Sequence, residues 1–163
     1  MGIAKRDAMS RRSEIRLTPA ERAELLDSQR VVIVSSIGPR GWPHSMPMWF
    51  TVRDGEIWIW TYAKSQKVRN LERDPRATLL VETGVQYQEL RGIQIEAEAE
   101  IVREPDRVLE FGTELALRYA EGIEELGPDA AAALAAQAPK RVAIRFLERR
   151  AASWDHRKLG AGY

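Results

Sequence analysis

Between residues 91 and 102 apolar and polar side chains alternate without a break: Ile93, Ile95, Ala97, Ala99 and Ile101 fall on one parity, Gln94, Glu96, Glu98 and Glu100 on the other. A period of two is strand geometry, and a strand with one wet face belongs to an antiparallel sheet laid over a core. Its neighbours read off the same way. Residues 31–37 are a β-branched run stopped by Gly38-Pro39-Arg40-Gly41. Residues 44–52 place Met46, Met48 and Phe50 on one face and Pro47, Trp49 and Thr51 on the other. Pro47 has no amide proton to give a ladder, so this strand runs at an edge or through a bulge. Asp54-Gly55 is a hairpin turn into a strand at 57–62. Further strands are expected at 77–82 and 140–148, with 152–157 extending the sheet. Helices are expected at 18–28, where Thr18, Pro19 and Glu21 form a capping-box start, at 105–119 and at 129–137. Helical crossovers between successive strands are scarce. The fold class is therefore mainly β with α, α+β, built on a six- to seven-stranded antiparallel sheet. Closing the sheet into a small barrel removes its exposed edges.

A chain of 163 residues holds one core and one domain. We divide it into a loose basic arm over 1–17 and a single domain over 18–163. With 25 basic and 24 acidic side chains the net charge is +1, which gives no global field for nucleic acid or a membrane surface. The absence of cysteine excludes disulfides, thiolate metal sites and cysteine nucleophiles, and the two histidines, His44 and His156, lack a metal-ligand spacing. No apolar stretch at the N-terminus has the length of a signal peptide or a membrane span, so the cytoplasm is the expected location. Five tryptophans exceed what one small barrel buries, which directs Trp49, Trp58 or Trp154 toward a subunit interface or a flat aromatic ligand.

The chemistry concentrates in residues 57–76. A strand ends at Tyr62, and Ser65 is placed to cap a short helix that must stop at Asp74 because Pro75 disfavours helical geometry before it. A helix start carries unpaired amide protons and about half a positive charge, and Lys64 and Lys67 add two full charges beside it. The arrangement fits a phosphate. It also fits a plain solvated face formed by Lys64, Lys67, Arg69, Arg73 and Arg76.

The succession helix, strand, Gly-x-Pro turn, strand, Asp-Gly hairpin and strand, followed by Thr61-x-x-x-Ser65-x-Lys67-x-x-Asn70-Leu71 and Asp74-Pro75-Arg76, resembles the pyridoxamine-phosphate-oxidase-like split β-barrel superfamily of flavin and deazaflavin proteins over roughly residues 18–157. The resemblance implies a homodimer with the cofactor at the subunit interface. Its phosphate would be held by Trp60, Thr61, Lys64, Ser65, Gln66 and Lys67, with Asn70 on the same helix. Its ring would lie along Ser45, Met46, Pro47, Met48, Trp49, Phe50 and Thr51, and Arg91 and Gly92 would complete the set. Each residue has a plainer role open to it: Thr61 as a β-former, Asn70 as a helix-surface residue, Trp49 as a core or interface aromatic.

The ending Ser153-Trp154-Asp155-His156-Arg157-Lys158-Leu159-Gly160 resembles an actinobacterial branch grouped with F420-dependent reductases. This implies F420 as cofactor, with FMN as the alternative, and hydride transfer to an unsaturated or quinone-like small molecule. A protein that binds such a cofactor without turnover is the remaining alternative. No side chain need react covalently. Tyr62, Tyr87, His44 and an ordered water are the candidate proton donors.

Overall fold

The computed structural model describes residues 11–159. Six strands form a closed barrel in the order β1-β2-β3-β6-β5-β4, every neighbouring pair antiparallel. They are β1 (Val31–Ile37), β2 (Pro43–Arg53), β3 (Glu56–Tyr62), β4 (Arg76–Thr83), β5 (Arg91–Val102) and β6 (Arg141–Asp155). The helices are α1 (Arg11–Glu14), α2 (Pro19–Ser28), α3 (Gln66–Arg73), α4 (Pro105–Tyr119) and α5 (Pro128–Gln137).

The alternation read in the sequence sets the barrel's inside and outside. Val32 and Val34, Phe50, Ile57 and Ile59, Leu79 and Val81, Ile93 and Ile95, and Ile144 and Phe146 fill the interior. The capping box of α2 is present, with Thr18 and Glu21 exchanging side-chain bonds to each other's backbone amides. Asp54 and Gly55 both have positive φ, as a two-residue type I′ hairpin requires. The segments expected at 140–148 and 152–157 are one strand. A register shift opposite Glu96 and Ala97 inserts a residue into β6, and the bulge lets one long strand bend around the barrel where the sequence suggested two.

The expected loose arm also differs over its described part. Ile15 accepts a hydrogen bond from the Asp155 amide at 2.7 Å, the Leu17 amide donates to Ser153 Oγ at 3.1 Å, and Leu17 is buried. Residues 15–17 therefore run along the end of β6, because an apolar residue beside unpaired strand groups gains both burial and hydrogen bonds there. Residues 1–10 of the expected arm, and Gly160 of the C-terminal motif, lie outside the described residues.

Two features of the topology position a site. First, β3 and β4 stand on opposite sides of the barrel order, and α3 joins them, so α3 must cross the barrel mouth. Its buried residues are Lys67, Val68, Asn70 and Leu71. Second, β2 pairs with β1 over 43–49 but with β3 only over 50–53. The barrel is split at that point. Pro47 lies in the half of β2 that has no β3 partner, which explains how the strand tolerates it.

At the far end of β6, Asp155 is buried and accepts from Arg157 at 2.6 and 2.8 Å, with buried Arg91 3.4 Å away. Arg157's hydrogen bonds, outweighing the burial that opposes them, hold the Asp155 carboxyl below the usual carboxylate range. Asp155→Asn removes the Arg157 hydrogen bonds to a buried carboxylate and leaves the buried Arg91 charge to Glu24, and is predicted to cost about 2 kcal/mol in urea unfolding at pH 7. A depressed carboxyl pKa stabilises above the unfolded value and the stabilisation fades as pH falls through the folded one, so the deficit should shrink below about pH 4. A deficit that does not change with pH would contradict this reading.

Candidate functional site

The mouth of the barrel collects polar groups that a core does not need. Lys67 enters from α3 and its Nζ donates to Thr61 Oγ1 at 3.0 Å, both side chains buried. One turn on, Asn70 Nδ2 donates to Ser36 Oγ at 3.0 Å and its carbonyl accepts from Gln66 Nε2 at 2.8 Å. Arg73 closes the row by donating to the Ile37 carbonyl at 2.5 Å. Spacings of three and four residues put Lys67, Asn70 and Leu71 on the face of α3 that meets the barrel.

Lys67 is 7% exposed, and among the described residues no carboxylate lies within ion-pair distance of it. Burial, the larger cause, and the charge of Arg141 together push its ammonium group below the ordinary lysine value. A buried cation with only a hydroxyl for company is costly, and an anion at the same place removes the cost.

Ser65 occupies the N-cap position of α3, as expected, but its side chain makes no capping bond, and Oγ is buried without a partner. Trp60 Nε1 is likewise buried and unpartnered, with the indole packed against Gly112 of α4 so closely that an added Cβ would stand 2.9 Å from it. Lys64 and Gln66 are exposed around the same turn. Thr61, Ser65, Gln66, Lys67 and Asn70 are thus brought together at one helix start. An orphaned Ser65 hydroxyl beside an uncompensated cation is a donor set that a phosphate takes, while the Trp60 indole turns to the opposite face of β3, under α4.

The ring-side residues lie along the split. The Phe50 amide donates to Tyr119 Oη at 2.9 Å, and that hydroxyl donates to the Arg30 carbonyl, so the main chain of Phe50 faces β1. Main-chain direction alternates along a strand, so Ser45, Pro47 and Trp49 turn theirs toward the edge that β3 leaves unpaired. Tyr119 fixes the end of this edge, its ring stacked on Trp49 at 4.3 Å and 13°. Met48 is half-buried against the core, Met46 is exposed, Phe50 is fully buried, and Thr51 is buried opposite Trp58.

Arg91 and Gly92 stand apart. Arg91 pairs with Thr83 at the end of β4 remote from α3, and the length of that strand, roughly 23 Å, separates it from the barrel mouth. Arg91 contacts Glu24 at 2.5 Å and the Glu21 carbonyl at 2.8 Å, and Gly92 is covered by Trp154. Within one chain these two do not join the Lys67 group. Of the candidate proton donors, Tyr62 is exposed beneath Arg141, His44 is half-buried with Nδ1 unpartnered, and Tyr87 packs on His156. Ser36, Tyr119 and Arg141 escaped the sequence reading. Each gains its role from a strand pairing or helix packing distant in sequence, and none carries a local signal.

Residues 18–157 match the family described as Pyridoxamine 5'-phosphate oxidase. The conserved hypothetical protein Rv2991 from Mycobacterium tuberculosis is 42% identical, with 93% of each chain covered and a TM-score of 0.84. A protein named F420 Reductase superposes with a TM-score of 0.61 at 22% identity, over 79% of this chain and 94% of its own. An FAD-binding protein from Mesorhizobium loti gives 0.60 at 15% identity, over 84% and 94%. The last two share the fold. No curated protein matches the chain.

Lys67→Met tests the uncompensated charge. A lysine whose folded pKa is lowered destabilises the fold while it is charged, and the cost is relieved as pH rises from the folded value toward the unfolded one. Without ligand at pH 7 the variant should melt ~2–4 °C higher, equivalent to about 1 kcal/mol, and the gap should close near pH 10.5 or about there. A lower melting temperature at pH 7 would mean that the charge is already satisfied.

Proposed function

The chain belongs to the pyridoxamine 5'-phosphate oxidase family, and from that premise we propose that it is an F420-dependent oxidoreductase that reduces an unsaturated or quinone-like small molecule. The observation that carries the reading is the buried, uncompensated ammonium group of Lys67 beside the orphaned hydroxyl of Ser65. The residues fit a phosphate-bearing ring cofactor. Lys67, Ser65, Thr61 and the first amides of α3 would hold the phosphate, and the main chain of Ser45, Pro47 and Trp49 would meet the edge of the ring. When bound, the reduced deazaflavin supplies a hydride to the acceptor.

The chain's own residues bind, orient and shield. The charge at Lys67 fixes one end of the ligand and the open edge of β2 fixes the other, which sets the plane in which an acceptor can stack. The packed roof of Trp58, Phe111 and Leu115 under α4 keeps water from the far side of β3. Exposed Lys64 and Arg69 lie where a polyanionic glutamate tail would leave the site, and the fold shared with an F420 reductase supports the same cofactor. FMN is the second reading. The Lys67 site recognises a phosphate that both cofactors carry, and the fold is shared with an FAD-binding protein.

We place the site between two copies of the chain. Arg91 and Gly92 reach the same ligand as Lys67 only if they come from a second copy. An apolar strip of Val31, Ile33, Pro47, Trp49 and Leu80 on the outer face of β1, β2 and β4 gives a second copy a surface to cover.

Titration of F420 and of FMN into the protein, read by tryptophan quenching, tests the proposal. F420 should bind more tightly than FMN, and Lys67→Gln should weaken it by ~1.5–3 kcal/mol, on the order of ten- to a hundred-fold. A preference for FMN would move the protein to the flavin reading. Binding without acceptor reduction would make it a carrier, and binding of neither would sink both cofactor readings.

A further inference from the structure

A second cation stands at the same turn. Arg141 opens β6 and pairs with Tyr62, the last residue of β3. The Ala63 amide donates to the Lys140 carbonyl at 2.9 Å, which ties the start of β6 to the turn that leads into α3. The Arg141 guanidinium lies 3.5 Å from the Tyr62 ring centroid and 4.6 Å from that of Trp60. Its one hydrogen bond among the described residues is to Gln137 Oε1 at 2.8 Å, and Nε is buried without a partner.

Elsewhere this protein neutralises its partly buried arginines. Arg53 has Glu110 and Glu114, Arg91 has Glu24 and Asp155, and Arg145 has Glu56 and Glu100. Arg141 has no carboxylate within ion-pair distance among the described residues. Two aromatic faces hold it in place and leave its charge unspent. It is also the group whose charge acts on Lys67. Lys67 approaches the turn from the barrel interior and Arg141 from the outer face. Two like charges held side by side without counter-ions repel, and an anion with two negative charges relieves both.

Resting on the reading of Lys67 as a phosphate ligand, we propose that Arg141 is the second cationic contact of that site, and that the pair selects ligands presenting two negative charges there. The two charges are those of a phosphate monoester, as in FMN, or of a phosphate with a neighbouring carboxylate, as in F420.

Wild type, Arg141→Gln, Arg141→Lys and Lys67→Gln are titrated with F420, FMN, riboflavin and inorganic pyrophosphate at low and high NaCl. Arg141→Gln should lose roughly tenfold in affinity for whichever phosphate-bearing ligand binds, and Arg141→Lys should keep most of it. The loss should shrink at high salt, where screening weakens a charge contact but leaves packing untouched. Riboflavin, without a phosphate, should be indifferent to the change. F420 and FMN arms separate the two sources of the second charge. An Arg141→Gln protein that binds every phosphate-bearing ligand as wild type does, while Lys67→Gln fails, overturns the inference and leaves the cofactor reading standing. Pyrophosphate binding that depends on Arg141, with no binding of either cofactor, overturns the cofactor reading and keeps the inference. Pyrophosphate and cofactors all failing to bind wild type overturns both.

Discussion

A single ammonium group, buried at the mouth of a barrel with a threonine hydroxyl as its hydrogen-bond partner, is the interaction on which the functional architecture turns. Lys67 reaches that position because the chain must cross from β3 to β4 on the opposite side of the barrel, and α3 is the crossing. A helix laid over a barrel mouth buries one face. In this chain that face carries Lys67 and Asn70 alongside Val68 and Leu71. The apolar pair seats the helix in the core, and the polar pair meets Thr61 and Ser36 on the barrel rim.

The split between β2 and β3 serves the same end. A fully paired barrel would cover the main-chain edge of β2 over 43–49. Pro47 withholds a donor from that edge, and Tyr119 holds Phe50 toward β1, so the edge from 43 to 49 stays apart from β3. The strained part of the design is electrostatic. Lys67 and Arg141 share a turn with no acidic partner among the described residues, in a chain that balances its other partly buried arginines. A buried cation without a counter-ion costs stability, and an anion bound beside it would restore it.

Much of this was legible in the sequence. The period-two runs gave five strands and the inward parity of the long fifth one, and Thr18 and Glu21 announced the capping of α2. Ser65 and Lys67 stood out because residue type and spacing make a helix start basic, and Asn70 entered through the family resemblance. Other parts were hidden for physical reasons. The bulge that joins two apparent strands into β6 depends on register against β5. Arg141 matters because β6 lies beside β3, a pairing across about eighty intervening residues that no local pattern reports. Ser65 was readable as a cap by its type, yet whether its hydroxyl turns inward or onto the helix is settled by packing.

The central claim is that the Lys67 charge awaits an anion. Its most direct test is the titration of the Lys67 side chain by NMR, followed through its ε-carbon, in the protein alone and with a saturating phosphate-bearing cofactor. The account predicts a pKa below 10.5 in the protein alone and a rise on binding, since an anion favours the charged form. A value at or above 10.5 without ligand, unmoved by cofactor, would contradict it.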